Sequence, residues 1–206
     1  MLEHVPAWLG RALQNVRAGA DKLCIFQPEL GNGFHELSIG SMAFPHGGRL
    51  PERFTADGEG VSPPLHWSEA PPGTVRLALL VEDADAPAPA PLVHALIWGM
   101  PAQDTSLEEG AIKPDGAGEP DGTDVGRNSF FREGWLPPDP PSGHGDHHYA
   151  FQILALSDGP DPGATPGRAA LVEAMAGRVL GAGMLVATYS REEPADIGPV
   201  GDAALI

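Results

Sequence analysis

The sequence predicts a mostly β domain, and three observations carry that expectation. Its 206 residues include 27 glycines and 23 prolines, about a quarter of the chain and without a collagen period. That is too much for a helical bundle and suits short strands joined by turns and long loops. In VRLALLV, Val75, Leu77, Leu79 and Val81 share one face, with Asp83 continuing it at the strand's end. LVHALIW, Leu92 to Trp98, is apolar on both faces save for one histidine, the pattern of a central strand.

In chain order, the first element is an amphipathic helix. Pro6 fits its first turn. Leu9, Leu13, Val16 and Ala20 form an apolar stripe widened by Trp8, Ala12 and Leu23, with Arg11, Gln14 and Arg17 on the other side and Gly19 as the stop. Such a helix either docks on its own domain or serves as a dimerisation arm. The expectation is a homodimer that weakens when residues 1–35 are lost. Residues 27–35 (QPELGNGFH) read as linker, and 37–44 alternate weakly, as a strand does. Residues 45–74 are turn-rich. The strands at 75–81 and 92–98 follow, and then residues 101–146 lose periodicity. A loop of that length in a compact domain is usually functional. Tyr149 to Leu156 (YAFQILAL) is a strand. Residues 168–180 pattern as a helix with Leu171, Val172, Met175 and Val179 on one side, and Met184 to Tyr189 is the last strand. The chain thus divides into a helix and linker at 1–35, a main domain at 36–190 and a polar tail at 191–206.

Twelve Lys and Arg against 28 Asp and Glu leave a formal charge of −16. That field disfavours nucleic acid and a polybasic membrane anchor. Cys24 is the single cysteine, which excludes an internal disulfide framework and favours a reducing compartment. No signal-peptide pattern and no 18-residue apolar stretch occurs, so a soluble, cytoplasmic protein without integral membrane association is expected.

The candidate chemistry gathers at strand ends. Asp83 and Asp85 lie in EDADAP, where ordinary turn chemistry accounts for them and where polar groups can also converge. His94 interrupts an apolar strand. A buried imidazole needs a partner for each ring nitrogen, so His94 is either a satisfied core histidine or a pocket residue paired with a carboxylate such as Asp83. Such a pair would favour the imidazolium. In GHGDHHY, a strand beginning near His147 puts His147, Tyr149, Phe151 and Ile153 on one face and His148 on the other. His144, Asp146, His147 and His148 are a metal alternative, although adjacent strand histidines diverge. Residues 115–124 (DGAGEPDGTD) do not match the calcium loop. No P-loop, GxGxxG, GxSxG or HExxH occurs, so no cofactor is implied. Ser142 near His144 has no oriented base.

In order along the chain, these segments resemble the phosphatidylethanolamine-binding protein family (Raf kinase inhibitor-like, bacterial branch). FTADGEGVSPPLHW (54–67) looks like its DGxNxSPxLxW turn, and APPGT (70–74) precedes its strand. DADAP (83–87) is similar to its DPDAP box, and His94 followed by LIWGMP to its histidine strand. GRNSF (126–130), PPDPP and HHYAFQILAL look like its second box, which usually ends in GxHRY. The resemblance covers residues 37–190. It implies an antiparallel β-sandwich with a small anion pocket at one edge, made by Asp83, His94, His147 and Tyr149 with Pro141 on the rim. In that picture Asp83 orients and charges His94 while the imidazolium and phenol donate to the anion. The chain departs from the pattern at Ala84, Gly60, Val93, Ala95, His148 and the LPPDPP stretch.

The expected function is therefore binding of a small anionic or phosphoryl ligand in a regulatory, non-catalytic role, with no catalytic residue, metal or cofactor assigned. One alternative is a hydrolase using His94 or His147 as general base with Asp83 as orienter. Another is a metal-binding protein built on the 144–148 cluster.

Overall fold

The four strong strands form, and each runs beyond its sequence pattern at one end. The computed structural model describes residues 12–13, 15–116, 118, 122–163 and 165–191. Its strands are β1 (His35–Glu36), β2 (Ile39–Gly40), β3 (Leu65–Trp67), β4 (Arg76–Asp83), β5 (Leu92–Pro101), β6 (Ser106–Leu107), β7 (Asp124–Val125), β8 (His147–Leu156) and β9 (Val179–Tyr189). Helix α1 (Arg168–Met175) precedes β9. One sheet has the order β1-β9-β8-β4-β5-β7, and a second is β2-β3-β6. β1 runs parallel to β9 and the other pairings are antiparallel. The large sheet is therefore mixed, where a purely antiparallel architecture was expected. No helix among the described residues is long and apolar enough to cross a membrane.

The parity read from the sequence sets the layers. Leu77, Leu79 and Val81 of β4 pack with Phe151 and Ile153 of β8 and with Leu65 and Trp67 of the small sheet. On the other face Ala78, Leu80, Leu96 and Leu154 lie under Leu171 and Met175 of α1 and under Cys24 and Leu30. β4, β5 and β8 are consequently buried on both faces, which is why β5 reads as an unbroken apolar run.

A single irregularity decides where His94 points. Val81 pairs with Ala95 and Glu82 with Val93, so His94 is the extra residue of a β-bulge. Val93 stays in the helix-side layer while Ala95 lies in the other. The bulge turns His94 to the side of Ala95, where its ring meets Tyr149.

The N-terminal segment departs from its sequence reading after Leu13, which with Ala12 is helical. The helix proposed over residues 6–20 falls largely outside the described residues. From Val16 the chain is not helical, and Val16 and Ala20, counted on its apolar stripe, are exposed. Three 3-10 turns follow instead, at Ala20–Lys22, Cys24–Phe26 and Pro28–Leu30. The stretch expected as linker carries Leu30 into the core. This strap is held by a buried carboxylate. Glu82 Oε2 accepts the Cys24 N–H at 2.7 Å and the Gln152 amide at 2.9 Å, and its other oxygen pairs with Arg168. Gln152 in turn accepts the Ile25 N–H at 2.8 Å. Nearer the N-terminus, the Ala18 and Gly19 N–H groups donate to the carbonyls of Ala86 and Ala84. The Cys24 thiol is sealed beneath the strap, and burial, then the Glu82 charge, pushes its pKa up to about 12.

Two further elements differ from their sequence reading. α1 ends at Met175 although the pattern ran to 180, because Gly177 takes φ 67° and Val179 already belongs to β9. The 37–44 alternation yields only the two residues of β2.

Removing the strap's anchor should be costly. Glu82→Ala leaves the Cys24 N–H and the Gln152 amide without their acceptor and Arg168 with only the Lys22 carbonyl, so a loss of about 3–5 kcal/mol is expected. The urea midpoint should fall by more than about 1 M; an unchanged midpoint would show that the network does not hold the strap.

Candidate ligand-binding site

Three pieces of local geometry bring the site together. β4 ends on Asp83, which lies in register with Tyr149 of β8. The β5 bulge turns His94 toward the same side, and β8 opens with His147. A cavity of about 270 Å³ lies over this corner, lined by Asp83, His94, His147 and Pro141, and half of its lining residues come from 130–141. The long aperiodic loop thus supplies the rim. Tyr149 does not line the cavity. It stands behind His94 with the rings edge-on, 5.1 Å between centroids. The aromatics that the family pattern places beside the histidine are Val93 and Ala95 here, and Trp135, from the loop, stands 6.2 Å from the His94 ring instead.

The hydrogen bonds overturn the expected pairing. Asp83 does not partner His94. Its Oδ2 meets His147 Nδ1 at 2.7 Å, and its Oδ1 accepts the Asp85 N–H at 2.8 Å. His94 Nδ1–H donates to the Leu136 carbonyl at 2.6 Å, and the Leu136 N–H donates back to the His94 carbonyl. His94 Nε2 is then buried with no partner among the described residues. Burial pushes the His94 pKa below the ordinary histidine value, and the nearby Asp83 charge only partly opposes this. His94 is therefore a neutral ring with a free lone pair, where an imidazolium was expected. The Tyr149 hydroxyl is likewise buried and unpartnered. Burial and the Asp83 charge push its pKa well above the usual value, so it remains a phenol.

His147 is committed on both nitrogens: Nε2 meets His144 Nδ1 at 2.7 Å, and His144 Nε2–H donates to the Leu13 carbonyl at 2.9 Å. This leaves no ring nitrogen of His144 or His147 free for a metal. Among the described residues no group of three or more His, Cys, Asp or Glu is placed to hold one. His148, where the family pattern has arginine, points to the other side, and its Nδ1 meets Asp85 Oδ2 at 2.7 Å. Arg17 holds the other oxygen of Asp85 together with the carbonyls of Asp146 and His144.

Several residues had no sequence signal. Arg132 lines the cavity, and its guanidinium makes no ion pair among the described residues. Asp139, also in the lining, pairs with Arg191 at 2.6 Å, and Arg191 continues to Asp57 and the Pro140 carbonyl. Arg191 was counted in an exposed tail, yet its side chain is 11% exposed; residues beyond it lie outside the described set. The prolines of PPDPP, which stiffen the rim, were the one available hint.

Comparison with known proteins places the chain. The phosphatidylethanolamine-binding protein model matches residues 40–190, and the chain belongs to that family. A UPF0098 protein of Methanothermobacter thermautotrophicus is 40% identical over 157 residues, spanning 75% of this chain and 99% of that protein. A UPF0098 protein of Aquifex aeolicus is 33% identical over 159 residues, covering 76% and 90%. The crystal structure of E. coli YbcL, described as a new member of the mammalian PEBP family, superposes with a TM-score of 0.69 at 28% identity. It covers 75% of this chain and 98% of that one.

The histidines set a pH dependence. Burial lowers both His94 and His144, so the unfolded chain binds more protons than the folded one just below the ordinary histidine pKa. Their contribution to stability is full above about pH 6.5 and is lost as the pH falls below it, by up to about 1.4 kcal/mol per pH unit for each ring. Urea unfolding from pH 8 to 5 should show this decline, with a shallower slope in His94→Phe. Equal slopes would mean that His94 is not held neutral.

Proposed function

We propose that the cavity binds a small oxyanion, phosphate or a phosphomonoester, together with one proton, in a regulatory and non-catalytic role. The observation that carries this reading is the buried His94 Nε2, which has no partner among the described residues, in a cavity also lined by Arg132, whose guanidinium makes no ion pair among them. A buried acceptor without a partner is costly. A protonated phosphoryl oxygen can donate to it, or an arriving anion can raise its pKa until it takes a proton and donates itself. A phosphomonoester dianion takes up a proton by either route, whereas hydrogen phosphate can serve the first route with its own P–OH and takes up a proton only by the second. Leu92, Phe130 and prolines 137, 140 and 141 give an apolar wall, which suits the organic part of an ester.

The hydrolase alternative draws on the same free Nε2, which is the geometry of a general base. Among the described residues no hydroxyl or thiol side chain lines the cavity, and binding is the reading this lining favours. The same proposal places the protein in the reducing cytoplasm, a reading that rests on its single cysteine. A homodimer would rest on residues other than the buried side chains of the strap, because those are already used within the chain. Sedimentation of the full chain, rather than truncation at residue 35, is the measurement that reports it.

Calorimetric titration with phosphate and with a phosphomonoester, at pH 5.5 and 7.5 and in buffers of different ionisation enthalpy, tests the proposal. Affinity for the phosphomonoester should rise as the pH falls, by up to about tenfold per unit, with net proton uptake, and His94→Gln should reduce both to what the ligand's own ionisation contributes. If millimolar phosphate leaves the NMR signals of His94 and His147 unmoved, the reading fails. Phosphomonoester hydrolysis that disappears in His94→Gln would support the hydrolase instead.

A further inference from the structure

The chain Asp83–His147–His144–Leu13 can be counted for protons. A backbone carbonyl only accepts, so His144 Nε2 carries hydrogen toward Leu13. The 2.7 Å contact between His144 Nδ1 and His147 Nε2 needs one hydrogen, whichever ring owns it. The 2.7 Å contact between His147 Nδ1 and Asp83 Oδ2 needs another. Two neutral imidazoles carry two ring protons, and these contacts require three. With Asp83 ionised, the histidine pair therefore bears one positive charge. Both rings are only 1% exposed, so the pair exchanges no hydrogen bond with bulk water.

The charge belongs on the ring beside the carboxylate. His147 touches Asp83, whereas His144 has a backbone carbonyl at one end and the guanidinium of Arg17 bonded to its own carbonyl oxygen. Burial, then the charge on His147, lowers the His144 pKa. His144 is thus a neutral acceptor at Nδ1, a tautomer fixed by the Leu13 carbonyl, and the cation sits on His147, the ring that lines the cavity.

We propose that His144 is a positioning residue for the ligand site: held in one tautomer by the Leu13 carbonyl of the N-terminal segment, it accepts the Nε2 proton of His147 and so fixes a positive charge on the cavity wall. This rests on the anion-binding reading for its consequence, but not for the proton count itself. It gives the N-terminal segment, which lies outside the 40–190 family match, a working part in the site. It also gives a task to a histidine outside the GxHRY box, since that box falls on residues 145–149. Both nitrogens of His147 are occupied, so the ligand meets its charge rather than its hydrogens.

Nitrogen-15 NMR of the histidines in the full chain, without ligand at pH 7, tests the count directly. His147 should show two protonated nitrogens and His144 one, at Nε2. In His144→Leu the acceptor is gone: His147 should revert to a neutral ring with a bare Nε2, and phosphate should bind about tenfold more weakly, as for loss of a partly screened unit charge near the ligand. His144→Asn can return an acceptor oxygen to the Nδ1 position and should restore both the doubly protonated His147 and the affinity. A purely structural role would not follow that pattern. A bare nitrogen on His147 in the unmodified protein, or unchanged affinity in a folded His144→Leu, overturns the proposal. If the leucine variant does not fold, the unmodified protein and His144→Asn decide it: a His147 that is not doubly protonated in either overturns it. If phosphate fails to bind the unmodified protein, the anion reading is what fails, and the nitrogen pattern still judges His144.

Discussion

The end of β4 buries two carboxylates in adjacent positions, Glu82 fully and Asp83 nearly so. Neither could remain there without partners, since an unpaired buried charge costs several kcal/mol. Strand geometry sends the two side chains to opposite faces, so each organises a different half of the molecule. Glu82 gathers Arg168, Gln152 and the Cys24 N–H, which fastens α1 and the N-terminal strap to the sheet. Asp83 gathers His147 and the Asp85 N–H, which builds the back wall of the cavity. Strap and cavity are joined through one dipeptide, and again through the Leu13–His144 contact.

Much of the β architecture could be read directly, because β4, β5 and β8 carry their layers in plain alternation or in an unbroken apolar run. The order of the boxes likewise pointed to the family. Of the residues singled out in the sequence, Asp83, His94, His147 and Pro141 line one cavity and Tyr149 does not, and the bonds among them were not legible. Parity placed Asp83 and Tyr149 on one side, and they do pair in register. His94 reaches that side only through a one-residue bulge, which no periodicity reveals and which decides its face. Its partner, a backbone carbonyl of residue 136, lies in a loop with no period at all. The same applies to Arg132 and Asp139. The N-terminal stripe reads too far along the chain: Ala12 and Leu13 are helical, but from Val16 onward backbone and side-chain acceptors on the sheet prevail.

The electrostatics of the cavity are local. The chain carries −16 overall, yet the acids around the cavity are matched: Asp83 by His147, Asp85 by Arg17 and His148, Asp139 and Asp57 by Arg191. What remains is the Arg132 guanidinium and the capacity of His94 to take a proton. Over these few ångströms fixed groups outweigh distant, screened surface charge. The arginines that do the matching come from outside the rim loop, at residues 17 and 191, so both flanking segments contribute to the field inside the cup.

The sealed thiol of Cys24 gives the molecule an internal gauge. It is the sole cysteine in the chain, it is fully buried, and it belongs to the same segment that supplies the carbonyl of Leu13 to His144. An alkylating reagent can reach it only when that segment lifts from the sheet, so the speed of labelling under native conditions measures how often the strap opens. Occupancy of the cup and closure of the strap can therefore be followed in the same sample, without introducing any foreign probe.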